Sequence, residues 1–301
     1  FLIYGVSSAA IPSTNVYLTQ AVRHDPTRAP NLPIQASLTF LWAAYSLGLV
    51  VSPSIGGALG DAIGLRSVFL ISVFWFALSL LAIMRTRSYP DPARPQHGYN
   101  YRALLRDRPV IVAFALLTLG FVAVLIGQPL SSQFLEEVRG FSRTSIGVFG
   151  SLTALGTAIS SLLLGRLSSW RGFFASLLLV MASFGLLLIS GAWPVVAVAA
   201  MLLGAYYTTR PMAVSAISAY VSEHQRGVAY ALVDTLAGLA AVLGTNLAGV
   251  LYTSDAGWPF VAGIACGVGT LVLGLVLLRR PDVMAAEHRL LAAIPGQGEQ
   301  G

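Results

Sequence analysis

Two charges of opposite sign, Arg210 and Asp234, stand deep inside otherwise apolar runs of this chain. Arg210 lies well before Val221, where its run ends, which at the helical rise puts it ~16 Å from that end and close to the middle of a ~30 Å hydrocarbon layer. Asp234 follows Arg226 by about two turns, ~12 Å from the same surface. A guanidinium at that depth costs at least ~2.5 kcal/mol, so it must face a counter-charge or a water-filled cavity. The two runs are sequence neighbours, and a long Arg side chain spans a depth difference of ~4 Å, so a direct pair is expected. Such a pair offers one chemistry and one bland role. Arg210 can be held by Asp234 when idle and released to an anionic or polar solute group, the proton-carrying acid being either Asp234 or a residue in helices expected ahead of Phe1. Equally, the pair can simply clamp two helices together. Pro211, beside the arginine, removes a backbone donor and allows a bend.

Catalytic chemistry has little to build on. His24, His97, His224 and His288 all fall in polar connections, Cys266 is the single cysteine, and neither a paired-aspartate motif nor a Gly-x-Ser-x-Gly elbow occurs. An intramembrane enzyme needs such groups within its apolar runs. The expectation is therefore no enzyme, no cofactor and no metal.

The elements that position the pair follow from composition. With 56% hydrophobic and only 10% charged residues, the chain lies far below the ~25% charged fraction of soluble domains. It reads as an all-α polytopic membrane protein. The apolar segments run from Phe1 to Val22, Ala36 to Leu59, Ser67 to Met84, Val110 to Ser132, Ser145 to Leu164, Phe173 to Ser190, Pro194 to Val221, Val228 to Tyr252 and Pro259 to Leu278. That makes about nine helices, each near the ~20 residues a span needs. Their Gly, Ala and Ser suit helices packed together in lipid, whereas β-barrel strands would alternate.

Between the third and fourth segments, Arg85 to Arg108 forms a polar linker broken by Pro90, Pro92 and Pro95. If the segments alternate in direction, this linker, the connections holding Arg23, Arg28, Arg166, Arg171 and Arg226, and the tail with Arg279, Arg280 and Arg289 share one side. Only Arg66, Arg139 and Arg143 fall on the other. By the positive-inside rule the linker and C-terminus are cytoplasmic, in a cell inner membrane. The same placement accounts for the net charge of +6 without a nucleic-acid partner. The chain opens at Phe1 within an apolar run, so further helices are expected ahead of it.

A repeat points the same way. Ser52 to Leu59 aligns with Gly244 to Leu251, matching Gly57 with Gly249 and Leu59 with Leu251, and Pro12 aligns with Pro211. Segments one to three thus repeat as segments seven to nine in the same orientation, a construction common among transporters.

These residues carry a resemblance to the major facilitator superfamily. Gly48-Leu-Val-Val-Ser52-Pro53-Ser-Ile-Gly56-Gly57 is similar to that family's antiporter motif, with Ser52 in place of one glycine and Thr39 in place of a more distant one. Gly165-Arg-Leu-Ser-Ser169-Trp-Arg-Gly172 resembles its loop motif, with Ser169 replacing the acidic residue. The resemblance implies a drug/proton antiporter-like protein of twelve helices in a six-plus-six arrangement, here opening before the fourth helix. Residues 1–84 would then be the last three helices of the first bundle, 85–108 the linker, 109–280 the second bundle and 281–301 the tail. It further implies a secondary active transporter, a monomer in the lipid bilayer, exporting a small-molecule substrate by alternating access with protons as coupling ion. An uptake symporter or a non-transporting sensor of the same fold are the alternatives. The family's cavity-lining helices would here place Tyr4, Ser8 and Asn15, which share one helical face, along the fourth helix. They would place Thr118, Gln128 and Ser132, with Phe121 and Leu125 between them, along the seventh, and Tyr207 and Arg210 on the tenth. The repeat maps Tyr4, Ser8, Ile11 and Asn15 onto Leu203, Tyr207, Arg210 and Val214.

Overall fold

The structure, a computed structural model, describes residues 34–85, 108–218, 220–221 and 223–277. The described residues form helices joined by short turns, with no strand among them. Six of these helical stretches are long and apolar enough to cross a membrane: Leu65–Met84, Arg108–Glu137, Arg143–Leu164, Ser169–Ile189, Val228–Ser254 and Trp258–Leu277. The first expected segment and most of the arginine linker lie outside the described residues.

The chain divides into two compact units. The first holds Phe1–Gly98 together with Arg143–Ser151, and the second holds Tyr99–Ser142 and Leu152–Gly301. In the first, α1 (Ile34–Ile63) and α2 (Leu65–Met84) are separated by the single residue Gly64, whose φ of 79° reverses the chain in a conformation closed to most side chains. Its carbonyl accepts the Ser67 and Val68 amides at 3.2 and 3.4 Å, starting α2 without a side-chain cap. Pro53 lies inside α1 and removes one rung of its ladder. The opening turns of α5 (Arg143–Leu164) complete this unit.

The second unit is built around α3 (Arg108–Gly127) and α6 (Ser169–Ile189). The α3 helix packs on α9 (Glu223–Ser254) and α10 (Trp258–Leu277), while α6 packs on α10, on α7 (Trp193–Leu203) and on α8 (Tyr206–Ser218). Phe173, Phe184 and Phe260 are fully buried at these crossings. Phe184 meets Phe260 edge-on at 5.4 Å, and Phe121 meets Phe173 at 6.4 Å. Buried hydroxyls have partners: Ser183 donates to the Ala199 carbonyl at 2.7 Å, and the Ser176 and Thr209 hydroxyls stand 3.2 Å apart.

Two expected spans are interrupted. The fourth segment ends its α-helix at Gly127, passes through a 3-10 turn at Gln128–Leu130 and resumes as α4 (Ser131–Glu137). Pro129 has no amide to offer the Leu125 carbonyl, so the tighter turn takes over. The seventh segment, expected as one helix from Pro194 to Val221, splits into α7 and α8 at Gly204 and Ala205. There the amides of Gly204, Ala205, Tyr207 and Thr208 reach back three residues instead of four, at 3.1–3.2 Å.

Candidate functional site

The α8 helix carries Arg210 about one and a half turns beyond the break, and α9 carries Asp234 opposite it. Arg210 Nε donates to Asp234 Oδ1 at 2.8 Å, and Arg210 Nη2 stands 2.7 Å from the same oxygen. The pair is not sealed in the protein interior: the two side chains keep 50% and 44% of their surface exposed. Tyr207, one turn before Arg210, is also exposed and stacks obliquely on Tyr206 at 4.8 Å. Val214 is half-buried, and Leu203, placed on the same stripe by the repeat, is buried. The break at Gly204 intervenes between Leu203 and Tyr207, so one regular helical face does not carry all four.

The other sequence candidates are placed as follows. Tyr4, Ser8 and Asn15 lie outside the described residues. Thr118 spends its hydroxyl on the Phe114 carbonyl of its own helix at 2.8 Å, while Phe121 and Leu125 are buried in packing. Gln128 belongs to the 3-10 turn, and Ser132 falls exposed on α4. Thr118, Gln128 and Ser132 therefore do not form one continuous polar stripe, because the Pro129 turn changes the helical phase between them.

In the first unit, the antiporter-like stretch of α1 runs antiparallel to the opening turns of α5. A Cβ on Gly57 would fall on the Arg143 carbonyl oxygen, and one on Gly147 would fall on the Pro53 carbonyl oxygen. The Pro53 ring lies against Gly150. Ser54 Oγ and Ser151 Oγ stand 2.6 Å apart at one end of this seam. At the other end, Asp61 Oδ2 accepts the Thr144 amide at 2.7 Å and the Thr144 hydroxyl at 2.6 Å, capping the α5 N-terminus from a distant part of the chain. Asp61 lies past the apolar stretch that closes at Leu59. The Thr144 hydroxyl, then its amide, hold the Asp61 carboxyl below its ordinary value.

Within the motif, close approach falls to Pro53 and Gly57. Among the described residues, no atom lies within 4 Å of where a side chain would begin on Gly48 or Gly56, and Ser52 is exposed. Their partners Gly147, Gly150 and Ser151 escaped the sequence reading. The Gly-x-x-Gly spacing at Gly147 and Gly150 is the signal that could have found them. Ser169, which stands where the loop motif has an acid, pairs its hydroxyl with that of Ser215 at 2.7 Å.

The sequence model described as Major Facilitator Superfamily matches residues 35–209 and 132–294. The class B tetracycline resistance protein of Escherichia coli is 26% identical over 84% of this chain and 67% of its own length. The class D protein of Salmonella ordonez is 28% identical over 82% and 66% respectively. The purine ribonucleoside efflux pump NepI of Escherichia coli O127:H6 is 26% identical over 46% of this chain and 36% of its own. The chain thus spans about two thirds of the tetracycline proteins and about a third of the nucleoside pump. A solved bacterial homologue of the human lysosomal transporter Spinster, inward-facing and unoccupied, superposes with a TM-score of 0.42. It shares 17% identity over 87% of this chain and 73% of that one.

Proposed function

Because the chain belongs to the Major Facilitator Superfamily, we propose that it works as a secondary active transporter, exporting a small organic solute by alternating access in exchange for protons. The observation that carries this reading is the Arg210–Asp234 pair. It lies deep in two apolar segments, beside a broken helix, with half of each side chain open. Facing lipid, that much exposed charge would be costly, so the surface around it is read as the wall of a wet cavity. Tyr207, one turn before Arg210 on α8, adds an exposed aromatic side chain to the same helix.

The pair suggests a cycle. In the empty cavity Asp234 neutralises Arg210. An anionic or polar group of the solute takes the arginine on the inner side, and Asp234, relieved of its partner, takes a proton only on the outer side, where the solute leaves. The carrier returns with that proton and gives it up to the cytoplasm, which restores the pair, so solute and proton cross in opposite directions. A solute binding both ionised groups equally would shift nothing, so exchange of partners is the useful step. The antiporter-like motif, carried by Pro53 and Gly57, and the efflux proteins among the relatives support export over uptake. The proposal includes the division at the arginine linker into two helical bundles, a cytoplasmic linker and C-terminus, and a monomer in the inner membrane.

Everted vesicles carrying the full-length protein, energised with an acid interior, test this with tetracycline and a purine ribonucleoside as probes. Accumulation of a probe that collapses with a protonophore and disappears in Arg210→Ala is the expected result. Accumulation indifferent to the proton gradient would overturn the antiport, and wild-type accumulation in Arg210→Ala would remove the pair from the site.

A further inference from the structure

The break that sets off the Arg210 half-helix is held from outside, by α5. Where α7 gives way to α8, the Gly204 carbonyl accepts the Tyr207 amide at 3.2 Å, three residues on, instead of the Thr208 amide that an α-helix would supply. A second donor reaches that carbonyl from another helix: Thr157 Oγ1 stands 3.0 Å from it, and 3.0 Å from the Thr153 carbonyl of its own helix, so one hydroxyl hydrogen is shared between the two. The crossing is as close as two backbones allow. A Cβ at Gly204 would fall on the Thr153 carbonyl oxygen and the Thr157 amide, and one at Gly156 on the Met201 carbonyl oxygen.

We propose that Thr157 is a positioning residue for Arg210: by donating to Gly204 it fixes the turn at which α8 departs from α7, and so the direction in which α8 carries the guanidinium toward Asp234. The chain offers a physical reason for assigning this to the hydroxyl. Packing of Gly156 and Gly204 sets how near the helices come, but contact between two glycine surfaces resists rotation weakly. A directed bond to a carbonyl at the break resists it, because leaving that carbonyl without its second donor in an apolar setting is unfavourable. Arg210 lies ~9 Å along the helix from Gly204, so a small change of direction at the break moves the guanidinium out of bonding range of a carboxylate on α9. The functional meaning of this rests on Arg210 serving the transport site, whereas the geometry of the break does not.

The test is made in the full-length protein with spin labels at Val198→Cys on α7 and Ser215→Cys on α8, in a Cys266→Ala background, by pulsed dipolar distance measurement. Thr157→Val keeps the shape of the side chain and removes the donor; Thr157→Ser keeps the donor. The expected result is a displaced or clearly broadened distance distribution in Thr157→Val, a wild-type distribution in Thr157→Ser, and unchanged melting in detergent for both. Superimposable distributions in Thr157→Val and wild type would overturn the proposal. So would an altered distribution that Thr157→Ser fails to restore, since packing and not the hydrogen bond would then set the turn. Arg210→Ala, labelled at the same positions, keeps the wild-type distribution, so the loss of Arg210 from the site by the vesicle assay would leave this result standing and separately readable.

Discussion

Gly57 and Gly147 meet backbone to backbone. A side chain begun on Gly57 would stand 3.0 Å from the Gly147 Cα, and one begun on Gly147 would stand 3.1 Å from the Gly57 Cα. Because the obstruction is main chain, neither helix can relieve it by turning a rotamer. Gly57→Ala and Gly147→Ala should each destabilise the protein by ~1–3 kcal/mol through overpacking. Gly56→Ala, one position away with no described atom within 4 Å of its new side chain, should be neutral or gain up to ~1 kcal/mol of helix propensity. Thermal unfolding in detergent separates them, and equal melting temperatures for the Gly56 and Gly57 variants would deny the seam.

The Arg210–Asp234 pair is half exposed, which lowers what it contributes to stability. A sealed pair would leave an uncompensated charge at ~3–5 kcal/mol when one member is removed. An exposed one is worth ~1 kcal/mol or less. Arg210→Ala and Asp234→Ala should therefore both fold, and a double-mutant cycle on unfolding should return a coupling below ~1 kcal/mol. Transport should be lost in Arg210→Ala and stay lost in the double variant. Normal flux in the double variant would make the pair a clamp between α8 and α9.

The proposed cytoplasmic placement of the linker and C-terminus rests on the arginine distribution and has a direct test. Single cysteines at Gln96, Ser254 and Gln297, in a Cys266→Ala background, should react with a membrane-impermeant thiol reagent in intact cells only at Ser254. Labelling at Gln96 would invert the topology.

The Asp61 cap has a pH signature. Its carboxyl is held below its ordinary value of 3.8 by the Thr144 hydroxyl and amide, so the capped state is favoured above that value and weakens as pH falls through the lowered one. Hydrogen exchange of the α5 N-terminal amides should be flat from neutral pH to about pH 5, once corrected for intrinsic rates, and should quicken only in stronger acid. Asp61→Ala should show the quickened exchange at neutral pH.

How much of this was legible in the sequence depends on the range of the interaction. Helix positions came from apolar length alone, and the meeting of Arg210 with Asp234 could be anticipated because depth along two adjacent helices is a local property. The break at Gly204 was hidden. Met201-Leu-Leu-Gly-Ala-Tyr is as apolar as its surroundings, and what makes Gly204 a break is the α5 backbone lying on it. The seam partners were hidden for the same reason, since Gly57 and Gly147 are far apart in the chain and each looks like one small residue among many. The exposure of the pair was the least legible, because residue type predicts whether a charge needs a partner but not what lies on its other side.

The joined α3–α4 stretch, Arg108 to Glu137, counts 30 residues, and α9 counts 32. At the helical rise the two run ~45 and ~48 Å, against a hydrocarbon layer of ~30 Å. The two are tied at their C-terminal ends, with Tyr252 of α9 donating to Glu137 Oε2 at 2.9 Å, and just beyond, Arg139 Nη2 donates to the Leu187 and Leu188 carbonyls at 2.8 and 2.7 Å. With both helices taken as membrane spans, Glu137 and Arg139 would stand as fixed charges at the level of the lipid headgroups. The protein would then be matched to a particular bilayer thickness: in a thicker membrane these charges would be drawn into the acyl region, and in a thinner one the apolar turns beneath them would be left in water.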